Sequence, residues 1–126
     1  MLTFSIKLTP VSKKNSQQLA YNPATKRMFI TPSKKYKEYE KQALWYLTPK
    51  PEKPIDYPVT VTCLFYMPTR RRVDLTNLLE AADDVLVRGG ILADDHCGIV
   101  VSHDGSRVLY SKDNPRTEIY ITELED

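Results

Sequence analysis

The sequence predicts an α/β (α+β) fold: a small two-layer domain with a mixed β-sheet of about five to six strands and two main helices. Three observations predict it. Several segments alternate apolar and polar residues with a period of two, as strands with one buried face do. Two segments place their apolar residues at helical spacing instead. And 126 residues suit one domain, residues 1–126, with two layers around one core.

Leu2, Phe4, Ile6 and Leu8 alternate with Thr3, Ser5 and Lys7, which reads as a first strand. Pro10 to Gln18 is a polar connection rich in Lys, Ser and Asn. Two short strand-like pieces, Ala20–Tyr21 and Met28–Ile30, flank Asn22-Pro23-Ala24-Thr25-Lys26, a hairpin loop. Thr31-Pro32-Ser33 supplies a hydroxyl cap and an early proline for a helix. Tyr36, Tyr39, Ala43, Leu44, Tyr46 and Leu47 fall at its spacing, and it ends by Thr48-Pro49, because a residue before proline disfavours helix.

Four prolines between Pro49 and Pro58 stiffen the next loop. Val59 to Met67 follows as a strong strand. Val59, Val61, Cys63, Phe65 and Met67 make one face; the other face is only half polar, which predicts a central position. After the basic loop Pro68 to Asp74, a helix runs to about Arg88. Its stripe of Leu75, Leu78, Leu79, Ala82, Val85 and Leu86 predicts burial, and Gly89-Gly90 ends it. Beyond the acidic loop at Asp94-Asp95-His96 come strands at Ile99–Val101, Arg107–Ser111 and Thr117–Leu124, with a turn at Asp104-Gly105-Ser106.

The composition, 41% hydrophobic and 27% charged, excludes collagen-like and low-complexity chains. No apolar run is long enough for a transmembrane helix, and the alternating N-terminus lacks the continuous apolar stretch of a secretory signal. No membrane partner is therefore expected. Two cysteines, Cys63 and Cys97, make no disulfide framework; they read as packed small side chains in a reducing cytoplasm.

The net charge of +2 hides a split. Residues 1–72 carry fourteen basic residues against four acids, a net of +10; residues 73–126 carry four against twelve, a net of −8. A basic surface attracts polyanions, most often nucleic acid. An acidic cluster beside it repels phosphate unless it holds a divalent cation.

Two constellations carry chemistry. Arg70-Arg71-Arg72-Val73-Asp74 sets planar phosphate-binding forks beside a carboxylate at a strand-to-helix connection, where Asp74 or Thr76 also reads as a helix cap. Asp94-Asp95-His96 offers hard oxygen ligands suited to magnesium or manganese, or else a polar turn. Should both loops meet, arginines, carboxylates and a divalent ion form the equipment of phosphodiester hydrolysis. They meet only if the acidic loop or its strand returns along the helix.

Arg70-Arg71-Arg72-x-Asp74-Leu75-x-Asn77-Leu78, Asp84-x-Leu86 and Asp94-Asp95, preceded by Pro10-x-Ser12-Lys13-Lys14-Asn15, resemble the RusA family of Holliday junction resolvases of phages, prophages and bacteria. The likeness spans nearly the whole chain and is most specific over residues 68–96. It implies a homodimer with a mixed sheet and flanking helices. It implies magnesium-dependent paired cleavage of four-way DNA junctions in recombination and repair, in the cytoplasm of a bacterial or phage-infected cell. Asp74 and Asp95 match two of the family's essential aspartates, with Asp94 a further candidate for the Mg2+ or Mn2+ shell.

Two positions depart from the family pattern: Thr76 stands where an aspartate is expected and Glu80 where a lysine is expected. Thr76 and Glu80 lie four apart on one helix face, so Glu80 is a candidate to supply the missing carboxylate while Thr76 caps the helix. Lys13, Lys14, Asn15, Arg70, Arg71, Arg72 and Asn77 are the candidate DNA contacts. Two other classes stay open at this point. One is a branched-DNA-binding module that has lost cleavage. The other is a protein-interaction domain assembled by its charge split, whose affinity for DNA would show no salt slope.

Overall fold

In a computed structural model, residues 1–12 and 17–124 are described. Seven strands and two helices follow the order β1 (Leu2–Ile6), β2 (Gln17–Asn22), β3 (Arg27–Pro32), α1 (Lys34–Ala43), β4 (Val59–Met67), α2 (Leu75–Arg88), β5 (Val100–Ser102), β6 (Arg107–Tyr110) and β7 (Arg116–Glu123). A 3-10 turn, Leu44–Tyr46, extends α1. Five strands form the main mixed sheet, and β2 and β3 form a separate antiparallel hairpin. The expected α+β class and its two main helices are present.

β4 is central, as its two-sided pattern predicts. It pairs antiparallel with β7, which pairs in turn with β1. Its other edge is shared by two short parallel partners. β5 lies beside Val59 and Thr60, and β6 beside Leu64 to Met67. One sheet face is buried: Phe4, Ile6, Val59, Val61, Cys63, Phe65, Ile119 and Ile121 all belong to the core. Against that face packs the α2 stripe of Leu78, Ala82, Val85 and Leu86, each buried, with Leu75 and Leu79 partly so.

α2 is punctuated as its sequence predicts. Asp74 is the N-cap, its Oδ1 accepting a 3.0 Å hydrogen bond from the Thr76 backbone N–H. Thr76 is therefore not the cap, contrary to the role considered for it. Gly90, at φ +76°, turns the chain after the helix in a conformation that glycine adopts without steric cost. Cys63 is buried as expected, but Cys97 is exposed, because the loop after Asp95 runs over the surface. Among the described residues no helix is long and apolar enough to cross a membrane.

The β4–α2–β5 crossover fixes where the loops fall. A parallel partner for β4 must start at the same end as β4, so the chain leaves β4 at one end and α2 carries it back to the other. Ile55 exchanges backbone hydrogen bonds with the returning segment, its N–H donating to Ile91 O at 2.8 Å and its carbonyl accepting from Ala93 N–H at 2.8 Å. The acidic loop is thereby tied to the entry of β4, while Asp74 follows its exit.

Candidate active site

At the exit of β4 the loop 68–74 carries the arginines. Arg70, Arg71, Arg72 and Asp74 are all exposed. Arg70 stacks its guanidinium 4.4 Å from the centre of the Tyr110 ring, which ties the loop to the end of β6. Arg71 and Arg72 line a groove of about 550 Å3 together with Pro10, Ser12, Lys35 and Thr69. This groove brings three regions of the basic half to one end of α2: the chain after β1, the start of α1 and the arginine loop. Lys13, Lys14 and Asn15 lie outside the described residues. Asn77 is buried in the first turn of α2, at 9% exposure, while Thr76 and Glu80 are exposed on the same helix.

A second cleft, of about 300 Å3, lies at the other end of α2 and is lined by Glu40, Asp84, Arg88, Asp94 and Asp95. Arg88 Nε meets Glu40 Oε1 at 2.9 Å and joins the ends of the two helices. Glu40 and Asp84 also face Tyr36. Burial pushes the Tyr36 hydroxyl pKa up, and the two carboxylates push it further. In the loop, Asp94 Oδ1 accepts from the Asp95 backbone N–H at 2.7 Å, and His96 Nδ1 accepts from Gly98 N–H at 3.0 Å.

The two candidate metal regions do not meet within one chain. α2 has 14 residues, which at a 1.5 Å rise separates its ends by about 21 Å. Asp94 and Asp95 sit at the level of Asp84, about 15 Å along the axis from Asp74. Among the described residues no group of three or more His, Cys, Asp or Glu side chains is gathered closely enough to hold a metal ion. The donor chemistry nonetheless suits a hard cation, since Asp74, Asp94 and Asp95 are exposed carboxylates and the cap bond engages only one Asp74 oxygen.

A part-buried pair was missed in the sequence. Asp83 and His103 join at 2.9 Å between Oδ2 and Nε2, and His103 Nδ1 donates to Val61 O at 2.8 Å. The hydrogen bond to Asp83 raises the His103 pKa above its ordinary 6.5, although burial acts the other way. A signal was present: Asp83 lies at the edge of the apolar α2 stripe, four residues after Leu79 and three before Leu86. A carboxylate at such a position needs a partner.

The family model described as Endodeoxyribonuclease RusA matches residues 7–122 of the chain. No curated protein matches it.

Proposed function

This chain belongs to the RusA endodeoxyribonuclease family, which makes it a hydrolase acting on DNA, and from that premise we propose a divalent-metal-dependent resolvase of four-way DNA junctions whose metal sites are completed between two copies of the chain. The observation that carries this reading is the separation of Asp74 from Asp94 and Asp95 by the length of α2. If two copies set their α2 helices antiparallel about a two-fold axis, Asp74 of each lies opposite the partner's acidic loop. Two equivalent sites result, one for each of two equivalent strands of a junction.

In this arrangement Asp74 of one chain and Asp95 and Asp94 of the other would hold Mg2+ or Mn2+, which would supply an acidic water and offset the charge on the phosphate. Arg71 and Arg72 hold the backbone in the adjoining groove, and their forks fix its orientation without reading sequence. Lys13, Lys14 and Asn15 extend this contact in sequence. Glu80 adds a carboxylate on the exposed face that begins at Thr76.

The test is a synthetic four-way junction with the purified protein in magnesium, manganese or EDTA, beside Asp74→Asn. Paired, metal-dependent nicks that vanish in the variant support the proposal. Junction binding with no cleavage in any metal would instead make this a binding module that has lost its chemistry.

Two further results are expected. Replacing both Arg71 and Arg72 by alanine lowers junction affinity and reduces the slope of log affinity against log salt by about 2, because each phosphate contact contributes about 0.9. Fluorescence anisotropy at several salt concentrations measures it; an unchanged slope removes these arginines from the DNA contact. Glu80→Gln lowers metal-dependent cleavage by about 10- to 100-fold, the usual loss when a group supporting a metal site is removed. Single-turnover rates across a manganese titration measure it, and an unchanged titration assigns Glu80 to the solvated face alone.

A further inference from the structure

The β2–β3 hairpin carries an apolar face that no described residue covers. Leu19 pairs with Ile30 and Tyr21 with Met28 across the two strands, so all four side chains lie on one side. They are 68%, 65%, 56% and 59% exposed, respectively. A two-stranded hairpin is marginal on its own in water, and a contiguous exposed apolar patch marks an interaction surface. A second exposed aromatic, Trp45, is 82% exposed in the turn after α1.

The two patches lie at opposite ends of the molecule. The hairpin joins the body between Ser12 and Ser33, beside Arg71, Arg72 and Lys35 at the Asp74 end of α2. Trp45 lies at the other end: α1 delivers Glu40 to Arg88, and Leu44 and Leu47 flank Gly89. Charge follows the same division. The hairpin end presents exposed Lys34, Lys35, Lys37 and Arg70 to Arg72, while the Trp45 end presents Glu40, Asp84, Asp94 and Asp95 against the two cations Lys41 and Arg88.

We infer that the apolar face of the hairpin docks on a second copy of this chain, over the surface around the partner's Trp45. The inference rests on the composite site proposed above. With α2 helices antiparallel, the basic hairpin end of one copy faces the acidic Trp45 end of the other, and the two-fold axis makes the contact twice. Opposite charge brings these ends together, and the apolar patches supply the desolvated centre. DNA fits this face less well. Its four side chains are uncharged, and the hairpin's basic residues, Lys26 and Arg27, sit at the turn.

Trp45 is the only tryptophan in the chain, so its emission reports on this contact directly. The experiment follows emission and sedimentation together from nanomolar to tens of micromolar protein, for wild type and for the double variant Leu19→Lys, Ile30→Lys. Both sites are exposed, and circular dichroism checks that the variant is folded. Wild type should shift its emission to the blue as its mass doubles. The variant should keep a red, concentration-independent emission and dimerise at least tenfold more weakly, as loss of buried interface anchors does. Trp45→Ala should weaken the dimer similarly.

A wild-type dimer whose emission does not change with concentration overturns the inference and leaves the composite site standing. So does a double variant that dimerises as tightly as wild type. A blue shift that appears only when a four-way junction is added assigns the patch to DNA and overturns it as well. A wild type that stays monomeric throughout the range removes the composite site, and the inference with it.

Discussion

An equimolar mixture of Asp74→Asn and Asp95→Asn chains, allowed to exchange subunits, is expected to regain junction nicking that neither variant has alone. Each variant by itself should lose at least about 1000-fold in rate, since several kcal/mol of charge stabilisation leaves with the ion. In a dimer with sites built across the interface, a mixed pair gathers both substitutions into one site and leaves the other wild type. About half of the dimers are mixed and one of their two sites is intact, so about one quarter of the sites should work. The nicks should be single rather than paired. Asparagine caps a helix as well as aspartate does, so Asp74→Asn keeps the start of α2 intact. A mixture of Asp94→Asn and Asp95→Asn should stay inactive, because both substitutions strike the same loop and every site is hit. If mixed dimers are seen by native mass spectrometry and the first mixture remains inactive, each site draws its ligands from one chain, and the interpretation of the 21 Å helix as a spacer fails.

Much of this geometry is legible in the sequence, and the rest is hidden for identifiable reasons. The two-sided apolar pattern of Val59 to Met67 announced a central strand, and β4 is paired on both edges. The Asp74 cap and the Gly89-Gly90 stop bounded α2 to within a residue. Alternation and helical period report which face of an element is buried. They do not report which end of the sheet a loop reaches. Ile99 to Val101 reads the same whether it runs parallel or antiparallel to β4, and only the parallel pairing sends Asp94 and Asp95 away from Asp74. That is why the sequence showed candidate carboxylates and not their separation. Local spacing also could not reveal His103. It sits 20 residues from Asp83, brought there by the turn between β5 and β6. The hairpin's exposed apolar face was invisible for the opposite reason: its alternation looks like that of any half-buried strand, and only the assembled chain leaves Leu19 and Ile30 uncovered.

Removing either member of the Asp83–His103 pair is expected to destabilise the protein by about 3 kcal/mol, at the low end for a broken buried pair because His103 keeps a quarter of its side chain in water. The Val61 carbonyl can only accept, so Nδ1 carries a proton. Nε2 then faces Asp83 Oδ2, and the pair holds one further shared proton between imidazole and carboxylate. Asp83 is buried and its Oδ1 has no hydrogen-bond partner among the described residues, so a carboxylate stripped of His103 is left without compensation. The pH dependence follows from the raised His103 pKa. A group with a raised folded pKa binds its proton more tightly in the native state. Its contribution is complete below the unfolded value of about 6.5 and is lost as pH rises through the higher folded value. Urea unfolding from mildly acid to mildly alkaline pH should therefore show stability falling with pH in wild type. In Asp83→Leu that fall should disappear, because burial, which lowers the imidazole pKa, then outweighs the Val61 hydrogen bond, which raises it. Replacing both residues by leucine should recover most of the loss, since two apolar side chains need no shared proton. The double-mutant cycle then isolates the pair, and a coupling near zero would show that α2 is held to β4 by its apolar stripe alone.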